Sequence, residues 1–129
     1  MDKLDQLILA MQQHEGWHAI GNPKFPQGTV SYNHHNPLNL RTAPTMLWQV
    51  NGYAVFATDA EGWAAARADI IAKASGQTHT GLGPTSTLEQ FITVWAPPAD
   101  NNNTQAYVQA VLTATGFPYT MELKDLLPA

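Results

Sequence analysis

His14-Glu15-Gly16-Trp17-His18 is the first stretch of the chain that matches a reactive motif. It fits H-E-x-x-H, in which two histidines hold zinc and the glutamate acts as general base. Gly21 extends the fit to the longer H-E-x-x-H-x-x-G-x-x-H pattern, and Lys24 breaks it where a third histidine should stand. A zinc peptidase site of this kind needs both imidazoles on one continuous helix, one turn apart. Here Gly16 lies between them and Gly21-Asn22-Pro23 follows, so His18 is expected beyond the helix end. Zincins also place this helix after a sheet, whereas here everything that precedes the motif is helical in pattern. His14 is therefore read as a helix-end residue, His34-His35 as a loop feature, and no metal site is expected.

The glutamate has a second use that needs no metal. Leu4, Leu7, Ile8 and Met11 fall at i, i+3, i+4 and i+7, which predicts an amphipathic helix over 2–14 with Asp2 as its cap. Glu15 extends the row 4, 8, 11, 15 and so lies on or beside the inward face, with Gly16 as the stop. A carboxyl in an apolar cleft beside an aromatic such as Trp17 is pushed toward its protonated form by desolvation. A general acid for a glycosidic oxygen needs that form near neutrality. The alternative is an ordinary solvated acid at a helix end, and the residues alone leave both readings open.

Local patterns predict the secondary structure around these groups. Residues 22–45, rich in Pro, Gly and Asn, read as loop with short extended pieces. Two apolar runs around Asn51-Gly52 predict a hairpin over 47–56 with a type I′ turn. Asp59 is the expected cap of a helix over 60–75, buried through Trp63, Ala66 and Ile70 and stopped by Gly76. Residues 77–84 form a polar linker. Ser86 and Glu89 suggest a capping box for a helix carrying Leu88, Phe91, Ile92 and Trp95, ended by Pro97-Pro98. Thr104 is the expected cap of a further helix with Tyr107, Val108, Val111 and Leu112 inward and Gly116 as stop. A short final helix is expected over 121–127. The sum is a mainly helical, α+β chain forming one domain over 1–129, with a small hairpin inserted after the first helix.

Composition narrows the function classes. Of 129 residues, 44% are hydrophobic and 12% charged, as in a globular protein with a weakly charged surface. The net charge of −4, with no Lys/Arg cluster, argues against nucleic-acid binding. With no cysteine there are neither disulfides nor thiolate metal sites. No apolar run approaches membrane-spanning length, and the N-terminal stretch lacks the pattern of a signal peptide. No cofactor is implied by any residue pattern, and a monomer is expected.

Several segments together resemble the small phage and bacterial peptidoglycan-cleaving domains of the lysozyme-like superfamily, grouped with lytic transglycosylases. That family's pattern runs from a helix ending in E-G to an N-N-P-G-N-[IL]-R segment, a G-[FY]-x-x-F strand before an acidic-Gly helix start, and W-A-P-P-x-[DE]-N-N-T-x-x-Y. The chain has Glu15-Gly16, His35-Asn36-Pro37-Leu38-Asn39-Leu40-Arg41, Gly52-Tyr53-Ala54-Val55-Phe56 and Asp59-Ala60-Glu61-Gly62. It ends the pattern with Trp95-Ala96-Pro97-Pro98-Ala99-Asp100-Asn101-Asn102-Asn103-Thr104-Gln105-Ala106-Tyr107. The resemblance spans nearly the whole chain, in order. Two positions depart from it: His35 stands for the first asparagine and Leu38 for the glycine, which changes the backbone conformations open to the loop.

The resemblance implies a lysozyme-like fold, with a cleft flanked by helices and a small hairpin subdomain. It also implies cleavage of the β-1,4 bond between N-acetylmuramic acid and N-acetylglucosamine, with Glu15 as catalytic acid. The bacterial cell wall would be the place of action and peptidoglycan glycan strands the partner. A second carboxylate, if one takes part, would be Asp59 or Asp100; the first also reads as a helix cap and the second as a turn residue. Without one, Glu15 would serve as acid and then base while the sugar's 6-hydroxyl closes an anhydro ring. Saccharides offer C–H patches and hydroxyls, so aromatic faces and amides suit them; Tyr32, Asn39, Asn103 and Tyr107 are the candidates, joined by Arg41. Trp63 and Trp95 lie on apolar helix rows and read as core. A lysozyme-like domain retained as a glycan-binding or virion structural module is the non-enzymatic alternative.

Overall fold

The computed structural model describes residues 1–128; Ala129, the last residue of the expected domain, lies outside them. Its elements, in order, are α1 (Lys3–His14), α2 (Val30–Asn33), β1 (Trp48–Val50), β2 (Tyr53–Val55), α3 (Asp59–Ala74), α4 (Leu88–Trp95) and α5 (Thr104–Thr115). Short 3-10 turns occupy Pro98–Asp100 and Leu123–Leu126. The chain is thus mixed, helices with one two-stranded sheet among the described residues. It divides into two compact units: a hairpin unit of Met11–Ala68, and a helical unit of Met1–Ala10 with Asp69–Ala129. Both boundaries fall inside helices, α1 and α3.

α1 forms as its periodicity requires. Asp2 caps it, its Oδ1 accepting the Asp5 N–H at 2.8 Å, and Leu4, Leu7, Ile8 and Met11 are all fully buried. Full burial of one such side chain contributes roughly 1.5–3 kcal/mol.

In the helical unit, Leu88, Phe91, Ile92, Val108, Val111 and Leu123 are at most 1% exposed and form the core. Two helix starts lie one residue from their expected places. Ser86 Oγ accepts the Gly83 N–H of the preceding turn, so Thr87 caps α4 instead, in a reciprocal box with Gln90. Asn103 caps α5 through its side-chain oxygen, accepting the Ala106 N–H at 3.1 Å. Thr104 is turned inward instead, its hydroxyl donating to Ala96 O at 2.7 Å. Gly76 and Gly116, in the left-handed region, end α3 and α5 as expected. Trp95 is half-buried, with its ring against Phe91 and beneath the Lys73 ammonium. The expected last helix is the 3-10 turn Leu123–Leu126, tied back by Leu123 N–H to Ser86 O and Lys124 N–H to Pro84 O.

In the hairpin unit, β1 and β2 pair antiparallel with Trp48 opposite Val55, Gln49 opposite Ala54 and Val50 opposite Tyr53. Asn51 (φ 53°) and Gly52 (φ 83°) both have the positive φ that a type I′ turn demands. One correction concerns residues 22–45, which contain the single helical turn α2 in place of loop alone. Four residues are too few to show a 3.6 period, and the turn is anchored by Ser31, which is 1% exposed. A second correction concerns α3. Thr58 caps it, its hydroxyl accepting the Glu61 N–H, and Asp59 is the first helical residue.

Candidate active site

Glu15 follows α1 directly. Its N–H donates to Met11 O at 2.8 Å, so the helical ladder runs one residue past His14. Gly16, at φ 87°, then turns the chain. Glu15 is half-buried, one turn beyond the fully buried Met11. The neighbouring Trp17 ring meets the Tyr32 ring edge-on, with centroids 5.4 Å apart.

The two histidines of the H-E-x-x-H stretch part company here. His14 is the exposed last residue of α1. His18 lies beyond the helix end, its N–H donating to Thr29 Oγ1 and its ring stacked on Phe25 at 4.9 Å. They do not occupy successive turns of one helix, as zinc would require. Among the described residues no three His, Asp or Glu side chains converge as a metal site.

Residues 34–41 form a loop fastened to the hairpin by several hydrogen bonds. His34 O accepts the Phe56 N–H, and Leu40 O accepts the Ala54 N–H, which lays the loop along the hairpin. Asn36 is fully buried and its carboxamide is the loop's internal brace. It donates to Leu40 O (2.9 Å) and Ala54 O (3.0 Å) and accepts the Leu40 N–H (2.9 Å). His35 (φ 54°) and Asn39 (φ 53°) take the left-handed conformation, while Leu38 does not and is buried instead. The glycine of the family pattern is thus not required at 38 in this loop. Histidine, like asparagine, is among the side chains that tolerate the conformation at 35.

Of the expected binding residues in this unit, Tyr32 is half-buried on α2. Asn39 is half-buried and its Oδ1 is enclosed without a hydrogen-bond partner among the described residues. Arg41 is exposed, its guanidinium 5.1 Å from the centroid of the Tyr53 ring. Asp59, considered as cap or second carboxylate, instead accepts a hydrogen bond from His35 Nδ1 at 2.7 Å.

The remaining candidates belong to the helical unit. Asp100 closes the 3-10 turn Pro98–Asp100 and is exposed. Asn103 lines an open groove of about 680 Å³ with Thr93, Pro98, Asn101, Asn102, Thr104 and Gln105, but its side-chain oxygen is engaged as the α5 cap. Tyr107 is corrected: at 3% exposure its ring is part of the core and offers no open face to a sugar. It sits on the same inward row as Val108 and Val111, and that periodicity outweighs the aromatic's suitability for stacking.

Four residues shape the site beyond those expected from the sequence. Asn36 and His35 lay in view as motif letters. Thr58-x-x-Glu61 is itself a capping-box spacing. Gly62 is required because a Cβ there would stand 1.8 Å from His35 O; no local pattern announces such a contact. Compared with known protein families, curated proteins and solved structures, the chain matches none significantly.

Proposed function

We propose that the chain cleaves peptidoglycan glycan strands at the β-1,4 bond between N-acetylmuramic acid and N-acetylglucosamine, on a lysozyme-like fold, with Glu15 as the proton donor. The observation that carries this reading is the placement of Glu15: a half-buried carboxyl one turn past the fully buried end of an amphipathic row, where the helix stops. The same unit supplies an aromatic pair (Trp17 and Tyr32), the half-buried Asn39 and the exposed Arg41. Aromatic rings, an amide and a guanidinium suit a saccharide with amide and acidic substituents.

In the proposed reaction Glu15 gives its proton to the bridging oxygen as the C1–O bond breaks and positive charge develops at C1. The carboxylate left behind then takes the proton of the 6-hydroxyl, whose oxygen bonds to C1. The products are a 1,6-anhydromuramic end and a free N-acetylglucosamine hydroxyl, with Glu15 protonated again. A lone glutamate suffices for this route. The hydrogen bond from His35 to Asp59 favours it, since it gives that carboxylate another task.

Two measurements test the reading. Glu15→Gln is expected to fold normally and to lose cell-wall lysis by several orders of magnitude, because an amide has no proton to transfer near neutral pH. Mass spectrometry of released fragments is expected to show ends lighter by one water and resistant to borohydride. Reducible ends would overturn the lone-glutamate step, and undiminished lysis by the variant would overturn the role of Glu15. Wall binding without any released fragment would mark the protein as a binding module.

A further inference from the structure

The hydrogen bond between His35 and Asp59 lies at a junction of three elements. On one side is the loop 34–41, which carries Asn39 and Arg41; its interior is braced onto β2 through Asn36. On the other is the first turn of α3. The two are pressed together so closely that Gly62 has no room for a Cβ, which would sit 1.8 Å from His35 O and 3.1 Å from the Pro37 ring. His35 Nδ1 reaches Asp59 Oδ1 across this contact at 2.7 Å. Both side chains are substantially exposed, 43% and 64%, so the bond is not forced on them by burial. Left-handed backbone at His35 aims the imidazole at α3, and capping by Thr58 frees Asp59 to receive it.

The geometry also explains the residue type. In histidine, Nδ1 is bonded to Cγ, the same place that Nδ2 holds in asparagine. Both residues tolerate left-handed backbone, and both present a donor at the same reach. An asparagine at 35 would therefore make the same hydrogen bond. An alanine would make none.

We propose that His35 and Asp59 act as positioning residues, a clasp that fixes the loop 34–41 against α3 and so sets where Asn39 and Arg41 meet the substrate. The inference rests on the glycan-cleaving reading for the word substrate, but not for the clasp itself. Asp59 acts through His35 and not on the reacting atoms, so the clasp governs binding and leaves the chemical step alone.

The test uses the whole chain and three variants: His35→Ala, Asp59→Ala and His35→Asn. On soluble uncrosslinked peptidoglycan strands, the two alanine variants are expected to raise KM about tenfold with kcat within twofold of the parent. His35→Asn is expected to restore KM to within twofold. A collapse of kcat in Asp59→Ala would overturn the inference and make Asp59 a catalytic carboxylate. Equal KM in all four proteins, or an asparagine variant as poor as the alanine one, would also overturn it. Amide hydrogen exchange on the free proteins separates this from the functional reading. Faster exchange at Leu40 and Ala54 in both alanine variants, absent in His35→Asn, upholds the clasp even if no glycan is cleaved. Unchanged exchange there refutes it even if glycan is cleaved.

Discussion

The hairpin unit and the helical unit hold their shapes by different means. In the helical unit, apolar rows from α4 and α5 close on one another, and polar side chains serve mostly at helix ends: Thr87, Gln90 and Asn103. In the hairpin unit, long stretches have no period, and the backbone is held by single side chains that reach across it. Asn36 satisfies three backbone groups by itself. Among the described residues, three of the four non-glycine residues with positive φ, His35, Asn39 and Asn51, lie in this unit. One unit thus rests on side chains that fill a common apolar core, while the other adds to its buried residues a few polar side chains that each hold the backbone. The proposed catalytic acid belongs to the second kind, where a side chain can be held at a fixed place without being buried in a core.

The contrast is sharpest when one support is removed from each unit. Phe91→Ala is expected to destabilise by about 3–5 kcal/mol, the usual cost of deleting a buried phenyl ring. Asn36→Ala removes far fewer atoms. It nonetheless leaves the Ala54 carbonyl and the Leu40 N–H without this partner, at about 1 kcal/mol or more each, while Leu40 O keeps the Ala54 N–H, so a loss of about 2 kcal/mol is expected. Denaturant titration compares the totals. Native-state hydrogen exchange then locates them, in α4 and α5 for the first and at Leu40 and Ala54 for the second. A loss well under about 1 kcal/mol for Asn36→Ala would break the comparison.

A smaller pair of effects separates collision from backbone strain. Gly62→Ala puts a methyl 1.8 Å from a carbonyl oxygen, and a backbone atom cannot swing aside as a side-chain tip can. An overpacking loss of up to about 3 kcal/mol is expected. Gly116, in the helical unit, has positive φ, but a methyl group there would meet nothing within 4 Å, so only conformational strain opposes a side chain. Gly116→Ala should therefore cost about 1 kcal/mol. Equal losses in the two variants would mean that α3 can yield at His35, contrary to the tight junction described above.

These contrasts also explain how much was legible in the sequence. Periodic rows announced α1, α3, α4 and α5, because burial repeats every three to four residues and needs no knowledge of what lies opposite. Asn51-Gly52 announced the hairpin because its turn demands positive φ at both positions. The end of α1 at His14 was legible from Gly16, and with it the parting of the two histidines. Caps were legible only to within a residue, since Ser86 and Thr87, or Asn103 and Thr104, are chemically equivalent until the preceding turn chooses between them. The His35–Asp59 bond and the cramped place of Gly62 were not legible. Each depends on a contact between residues 24 or more positions apart, and on a backbone conformation that histidine adopts seldom. Tyr107 shows the opposite case: its place on an inward row decides its burial, whatever the suitability of its ring for sugars.

The smallest effect lies on the surface of the helical unit. Tyr119 is exposed, and its hydroxyl donates to the Glu89 carboxylate at the start of α4. That hydrogen bond raises the phenol above its ordinary value of 10.0, and repulsion between Glu89 and the phenolate adds to the shift. A proton bound more tightly in the folded chain than in the unfolded one stabilises the fold below the unfolded tyrosine's pKa, about 10. That contribution is then lost as pH rises through the higher folded value. Tyr119→Phe should therefore leave stability slightly lower near neutrality and remove part of its decline in strong alkali. Solvent competes at so exposed a site, so the change is expected to be the least of those described. Phenolate absorbance during alkaline titration checks it directly: subtracting the Tyr119→Phe curve from that of the parent isolates one phenol, which should titrate above an ordinary tyrosine. Titration at or below the ordinary value would show that Glu89 does not hold the hydroxyl.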